Sequence, residues 1–336
     1  MDAGLVVAIV LAIAFATTNG FHDAANSIAA LVATRAATPF QAIVLASAFN
    51  LLGPLLLGAA VANTIGGIVS VTPSAANQVI GAGLAAALTW NLATWGRSIP
   101  SSSAQALVGG LVGAALAEGG IDAVNWGGVQ GGRPVGVFGT LISLAISPPL
   151  GAIAALLVIR VLRRLARRAT RRWGIPVRGG QWVTAAALAF SHGANDAQKS
   201  VGVIAALLLA SGRISTLAAP TWVTLVCAAA LTAGTALGGW RIIRTVGRRI
   251  YRIQPVEGLA CTAASAAVIF GASVVGAPTS TSQVVASSVV GVGGGRWRWR
   301  HVHWEVVRSM GVAWLITLPT TGALAAVAYE LWGWLT

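Results

Sequence analysis

Charge is what this sequence lacks most. Only 9% of its 336 residues are charged, against about 25% in soluble globular proteins. Cysteine is also scarce: Cys227 and Cys261 both lie in apolar stretches, so no disulfide framework is predicted. These shortages exclude a soluble enzyme, a disordered chain and a disulfide scaffold. Since 56% of the residues are apolar and the mean hydropathy is +0.79, the sequence predicts a polytopic membrane protein.

Long apolar runs fill the chain, and a helix needs about 20 such residues to cross the hydrocarbon core. No alternating pattern is sustained, which excludes a β-barrel and predicts an all-α transmembrane helical bundle. The candidate spans are residues 4–34, 40–62, 77–96, 104–118, 136–159, 182–210, 217–239, 256–276, 279–294 and 309–334.

Two motifs occur twice. Asn19–Ile28 aligns with His192–Val201 at an offset of 173 residues, and Pro100–Gln105 aligns with Pro278–Gln283 at an offset of 178. Two ordered motifs at nearly one offset predict a duplicated unit. We therefore expect three parts: a first transmembrane repeat (1–125), a linking helix with a basic cytoplasmic connector (126–180), and a second transmembrane repeat (181–336).

Arginine sets the predicted orientation. It accounts for 21 of the 22 basic residues and clusters between apolar stretches, in 160–178, 241–252 and 296–300. Such loops stay in the cytoplasm, so the net charge of +14 does not indicate nucleic acid as a partner. The matching loop of the first half, 63–76, has no charge. Counting crossings places it and both termini outside, which predicts inverted-topology repeats with interrupted or re-entrant helices.

Asp23 and Asp196 lie in the middle of apolar segments. A carboxylate at membrane depth costs about 2.5–3.5 kcal/mol on insertion scales, so one in each repeat indicates function. The alternative is a buried ion pair: Lys199 lies three residues after Asp196, on the same helical face. Asn26 holds the matching position after Asp23, which therefore has the greater need for a mobile cation.

Two further patterns accompany the carboxylates. Asn19–Gly20 and His192–Asn195 place glycine and short polar residues where a span would break; freed backbone groups could then bind ions, or the site is a kink tolerated by packing. Pro100–Ser103 and Pro278–Ser282 read as helix N-termini rich in hydroxyl groups. Such termini favour an anion, and ordinary helix capping is the alternative.

In these motifs the sequence resembles the inorganic phosphate transporter (PiT) family, bacterial low-affinity type. The family signature, Gly-Ala-Asn-Asp or its Gly-Phe-His-Asp variant, is matched by Gly20–Asn26 and Gly193–Lys199. The Pro-Ser/Thr element downstream is matched by Pro100–Ser103 and Pro278–Ser282. The likeness spans essentially the whole chain.

The resemblance implies import of inorganic phosphate across the cell (cytoplasmic) membrane by symport with Na⁺ or H⁺, through alternating access and with no other cofactor. It implies that Asp23, Asn26, Asn195 and Asp196 hold the coupling cation. Membrane lipid and a second copy of the chain, as a homodimer, are the other expected partners. The residues expected to hold phosphate are Ser101, Ser102, Ser103, Thr279, Ser280, Thr281, Ser282, Gln105, Gln283 and Lys199.

The chain departs from the family where Gln105 and Gln283 replace a histidine. Glutamine exchanges hydrogen bonds but cannot titrate, which leaves a permease for sulfate or another oxyanion open. An intramembrane hydrolase using a serine with His22 or His192 is a distant alternative, because a single triad has no use for duplicated serines. A membrane sensor is another, although it gives no reason for carboxylates at membrane depth. We expect neither histidine to ligate a metal, since no zinc-like spacing accompanies them.

Overall fold

The chain folds into a bundle of long helices in a computed structural model. The structure describes residues 3–97, 99, 101–130, 133–165, 174–237, 250–251, 253–295 and 299–332. Its helices are α1 (Ala3–Ala33), α2 (Pro39–Leu56), α3 (Ala60–Gly66), α4 (Ala76–Gly96), α5 (Ser103–Gly119), α6 (Gly136–Leu165), α7 (Gly174–Ala210), α8 (Thr221–Leu237), α9 (Pro255–Val274), α10 (Thr281–Gly294) and α11 (Trp304–Trp332). Two short strands, β1 (Val129–Gln130) and β2 (Arg133–Pro134), pair antiparallel.

Within the described residues, nine of the ten predicted apolar runs each coincide with one helix, which confirms the all-α class. The prediction of a single span at 40–62 is wrong, because this run contains the end of α2 and the start of α3. Gly58 lies between them with φ +83°, a left-handed conformation that ends a helix and turns the chain. Six helical segments of the described chain are long and apolar enough to cross a membrane: α1, α2, Ser103–Ala123, α6, α9 and α11. The protein is therefore a multi-pass membrane protein.

The two halves contain helices in the same order, and the helices of each half pack against those of the other. α1, α2, α4 and α5 correspond in order to α7, α8, α9 and α10, and the linking helix α6 follows the first set as α11 follows the second. Across the halves, α2 packs on α7 and α8 on α1, while α6 packs on α9 and α10 and α11 packs on α4 and α5. Each half thus completes the core of the other.

The breaks expected at Asn19–Gly20 and His192–Gly193 do not form, because α1 and α7 run unbroken through both motifs. Their glycines serve close packing. A methyl group at Gly20 would lie 2.1 Å from the backbone oxygen of Leu231 on α8, and one at Gly193 would lie 2.2 Å from that of Asn50 on α2. Small residues of this kind let helix backbones approach each other.

This packing role makes a prediction. Gly193→Ala should lower the thermal unfolding temperature, because helices α2 and α7 must separate to accept the methyl group. Gly179→Ala on the same helix is the matched control, since nothing lies within 4 Å of its added methyl group. Thermal unfolding of both purified variants in detergent measures the difference. Equal unfolding temperatures would contradict the packing role.

Helical hairpins replace the interrupted spans. α4 packs against α5, and α9 packs against α10, so Ser101–Ser103 and Pro278–Ser282 each lie at the tip of a hairpin. Ser101 and Ser280, at the two tips, are 0% and 2% exposed. Of the two arrangements expected, the described residues thus show hairpins whose tips are buried inside the bundle.

The hairpin ends group at opposite ends of the bundle. Ser70 donates a backbone hydrogen bond to Ala123 O at 2.9 Å, which joins the two ends of the α4–α5 hairpin. At the other end, Arg163 contacts Glu257 at 3.2 Å and Gly295 O at 2.8 Å, which joins α6 to the α9–α10 hairpin. Much of the predicted basic loops, 166–173, 241–249, 252 and 296–298, lies outside the described residues.

Candidate functional site

Asp23 lies buried on α1 among three polar side chains. Asn26 donates to its Oδ1 at 3.0 Å, Ser103 donates to its Oδ2 at 3.1 Å, and His22 Nδ1 lies 3.2 Å from Oδ1. The sequence indicated Asn26 alone. Within the described chain, no salt bridge joins Asp23 to a lysine or an arginine. Its negative charge is therefore solvated by hydrogen bonds but not balanced by a fixed cation.

Asp196 lies buried on α7 and is balanced. Lys199 Nζ forms an ion pair with its Oδ1, which confirms the pairing predicted from their spacing. Thr281 donates to Oδ2 at 2.9 Å, and His192 Nε2 lies 2.9 Å from the same oxygen. This carboxylate has one fixed positive partner.

The two carboxylates share part of their surroundings and differ in one charge and in the placement of the histidine. Ser103 and Thr281, at equivalent positions of the two motifs, each donate to the Oδ2 of the aspartate in their own half. Oδ1 accepts a hydrogen bond from the amide of Asn26 in the first half and pairs with the ammonium group of Lys199 in the second. The duplication of the sequence is thus a duplication of the site.

The fold brings both halves of the site to one point. One ligand atom each of Asp23, His192 and Asp196 lies within 4.8 Å of the other two. The hairpin tips also touch, since Ser282 Oγ donates to Ser101 O at 2.9 Å. A polar centre for a cation and an anion therefore forms at the meeting point of the repeats. His192, for which we expected no ligand role, has a ring nitrogen in this cluster.

A chain of hydrogen bonds orients His192. Thr235 donates to Leu231 O at 3.0 Å, and Asn50 Nδ2 donates to Thr235 Oγ1 at 3.0 Å. The oxygen of Asn50 therefore accepts from His192 Nδ1 at 3.0 Å. Nε2 then faces the carboxylate cluster, 2.9 Å from Asp196 Oδ2. Sequence reasoning missed Asn50 and Thr235, although each is a polar residue inside an apolar helix.

Hydroxyl groups line both hairpin tips. Ser102 is the N-cap of α5 and accepts from Gln105 N at 3.2 Å. Ser280 is the N-cap of α10 but accepts no such bond from its helix; its Oγ lies 3.3 Å from Ser282 Oγ. The buried hydroxyl of Thr279 has no hydrogen-bond partner among the described residues. Of these three groups, that of Thr279 is thus free to bind a ligand.

The remaining predicted residues lie around the tips. Gln105 and Gln283 lie in the first turns of α5 and α10, and Gln105 Oε1 is buried without a partner. Asn195 does not reach the carboxylates: its Nδ2 donates to Ser273 Oγ at 3.0 Å, and its Oδ1 accepts from Thr279 N at 3.2 Å. It holds the α9–α10 hairpin in place. Thr94, which the sequence did not indicate, contacts Ser101 Oγ at 2.8 Å.

A cavity leads towards the second tip. It has a volume of about 1110 Å³ and lies between α3, α6 and α9. Asn63, Asn125 and Ser143 supply polar groups to its lining, and Pro278 and Thr279 lie at its wall. The tip of the α9–α10 hairpin is thus approached from the end of the bundle that carries the Ser70–Ala123 contact.

A multi-pass helical bundle with duplicated carboxylates and hydroxyl groups at its centre defines a membrane transporter of small ions. Comparison with known proteins specifies which kind. The profile of the Phosphate transporter family (PHO4) matches residues 19–177 and 166–325. The chain therefore belongs to the phosphate transporter family, and it is a transporter and not an enzyme.

Relatives agree over nearly the full length. Proteins named probable low-affinity inorganic phosphate transporter are 38% identical in Bacillus subtilis (98% of this chain, 98% of the relative) and 40% identical in Rhizobium meliloti (97% and 95%). The Mycobacterium tuberculosis H37Rv protein of the same name is 40% identical over 97% of this chain and 77% of its own. A solved structure described as the sodium-dependent phosphate transporter is 25% identical, with a TM-score of 0.87 over 99% of this chain and 100% of its own.

Proposed function

We propose that this protein imports inorganic phosphate across the cell membrane by symport with a monovalent cation. The observation that carries the proposal is the meeting of both hydroxyl tips and both carboxylates at one buried point, within 2.9 Å for the tips and 4.8 Å for the ligand atoms. The names of the relatives support phosphate as the anion, and that of the solved structure supports a coupling cation.

Phosphate binds at the two tips in this proposal. The N-termini of α5 and α10 point unpaired backbone amides at the anion, and the hydroxyl groups add donors without adding charge. Lys199 adds one fixed positive charge nearby. The donors proposed for the anion are Ser101, Ser102, Ser103, Thr279, Ser280, Thr281, Ser282, Gln105 and Gln283.

The cation binds at the carboxylates. Asp23, Asp196 and Asn26 supply oxygen ligands, which a sodium ion accepts, and a proton can occupy the same carboxylates. Asn195 completes the proposed set of oxygen ligands, and its amide also holds the hairpin. A carboxylate repels an approaching phosphate unless a cation lies between them, and in a medium of low dielectric that repulsion is large. Each ligand therefore raises the affinity for the other, which is the basis of symport.

Alternating access requires the site to open to one side at a time. The contact between Ser282 and Ser101 closes the two hairpins on each other. The cavity beside Thr279 reaches the site from one end of the bundle. We propose that movement of the α4–α5 hairpin against the α9–α10 hairpin exposes the site to the two sides in turn.

The repeats cross the membrane in opposite senses in this proposal, with 1–125 and 181–336 as the repeats and 126–180 as their link. Reporter fusions should place 160–178 and 241–252 in the cytoplasm, because arginine-rich loops are retained there. They should place 63–76 and both termini outside. A cytoplasmic position for 63–76 would contradict the inverted arrangement.

Uptake into proteoliposomes tests the function. Purified protein should accumulate radiolabelled phosphate when a sodium or a proton gradient is imposed, and the gradient that drives uptake identifies the cation. Radiolabelled sulfate in parallel tests the second candidate, which the glutamines at Gln105 and Gln283 favour because they cannot carry a proton. Empty liposomes give the background. Sulfate uptake without phosphate uptake would overturn the proposal.

A further inference from the structure

Lys199 is the only lysine in the sequence, and it lies at the centre of the bundle with a relative exposure of 1%. A buried ammonium group is costly and is kept where it has a partner and a purpose. Here its Nζ is shared between two groups: it pairs with Asp196 Oδ1 and donates to Thr279 O at 2.8 Å. It therefore connects the carboxylate to the tip of the α9–α10 hairpin.

In the proposed symport, a mobile cation makes the same connection. It lies between the aspartate and the hairpin tip and is bound by oxygen atoms of both. In the second half the ammonium group already occupies this position, held between a carboxylate oxygen and a backbone oxygen. This positive charge is part of the protein and is not bound from solution.

The first half shows the same position without the charge. Asn26 is the residue equivalent to Lys199, and it donates to Oδ1 of Asp23 with a neutral amide. The backbone oxygen of Ser101, equivalent to that of Thr279, accepts from Ser282. Two carboxylates and one ammonium group carry a summed charge of −1. One monovalent cation balances that charge, whereas two would be needed without the lysine.

We propose that Lys199 is a tethered cation that replaces one of two mobile coupling cations, so that Asp23 alone recruits a cation from solution. This inference rests on the proposed symport and adds its stoichiometry. Lys199 acts as a positioning residue for the α9–α10 tip and as a fixed charge at the site. It makes the two halves of the site chemically unequal.

The charge moved per phosphate tests the inference. In proteoliposomes, the membrane potential that stops net phosphate uptake at fixed gradients reports this charge, and it does so for sodium and for protons. Lys199→Asn gives the second half the residue of the first and a central charge of −2, so we expect one more positive charge per phosphate than in the wild type. Asp196→Asn/Lys199→Asn restores −1, so we expect the wild-type value.

Each outcome decides the inference. An active Lys199→Asn protein that moves the wild-type charge per phosphate would overturn it, because a purely structural lysine changes rate or stability but not stoichiometry. A double variant that differs from the wild type would also overturn it. Where the single variant is folded but inactive, the apparent affinity for phosphate is measured by thermal stabilisation at several cation concentrations. An affinity that rises with one power more of the cation concentration than in the wild type supports the proposal. An unchanged dependence on cation concentration refutes it.

The double variant also guards against misfolding, because it leaves no buried charge unpaired at this position. If Lys199→Asn does not fold, Lys199→Gln removes the same charge with a longer amide side chain: one more positive charge per phosphate than in the wild type supports the inference, and the wild-type value refutes it. Failure of the proposed function is distinguishable from all of these results. In that case the wild-type protein itself takes up no phosphate under either gradient.

Discussion

We expect Asp23→Asn to abolish cation-coupled phosphate uptake and Asp196→Asn to reduce it less. Asp23 is held by neutral donors and has no fixed cation, so its charge is the one that draws a cation from solution. Replacing it removes the attraction while keeping the shape of the side chain. In Asp196→Asn, Lys199 loses its partner but stays beside the anion and still attracts it.

Initial rates of phosphate uptake at saturating cation measure this difference. Asp122→Asn is the control, because that carboxylate is exposed and remote from the hydroxyl tips along α5. It should transport as the wild type does. Equal rates in Asp23→Asn and the wild type would remove Asp23 from the coupling mechanism, and a greater loss in Asp196→Asn would reverse the roles of the two halves.

We expect Ser280→Ala to raise the apparent KM for phosphate by about ten- to a hundred-fold, with little change in stability. One hydrogen bond to a charged group is worth about 1.5–3 kcal/mol, which corresponds to that range. The structure makes this serine the cleaner of the two N-caps to test, because its Oγ accepts no backbone bond from its own helix. Its loss therefore acts on the ligand and not on the helix.

Ser102→Ala is the matched comparison. Its Oγ accepts from Gln105 N, so the substitution should also cost about 1 kcal/mol of stability. In the double variant the effects on KM should be less than additive, since the anion shifts away from the second group once the first is lost. Uptake kinetics and thermal unfolding together measure both effects. An unchanged KM in Ser280→Ala would exclude this hydroxyl from the anion site.

Local sequence patterns predicted the positions of the helices well, but they predicted the roles of individual residues less well. The apolar runs located the long helices of the described chain but not the short α3, because burial in lipid or in a helical core demands the same composition all along a long segment. The reading of Gly20 and Gly193 as breaks was wrong. Glycine permits both a break and a close contact, and the choice depends on a neighbouring helix: here α8 and α2 approach within van der Waals distance of these positions.

In the candidate site, too, some contacts were predictable from the sequence and others were not. The spacing of Asp196 and Lys199 predicted their ion pair, since residues three apart share a helical face. The orientation of His192 was not predictable, because its partners Asn50 and Thr235 are 142 residues and more than 40 residues away along the chain. The sequence also could not show that Asn195 holds a hairpin, since that role depends on Ser273 and Thr279 folding against it.

Composition, periodicity and the doubled motifs therefore establish a membrane-spanning helical protein of two repeats, and the motif residues establish its family. These properties are local or additive along the chain, so they survive without coordinates. The distance between Asp23 and Asp196, the contact of the two hairpin tips and the charge at the centre are different. They arise because each half packs its helices into the other, and a contact between residues far apart in sequence is set by that packing alone.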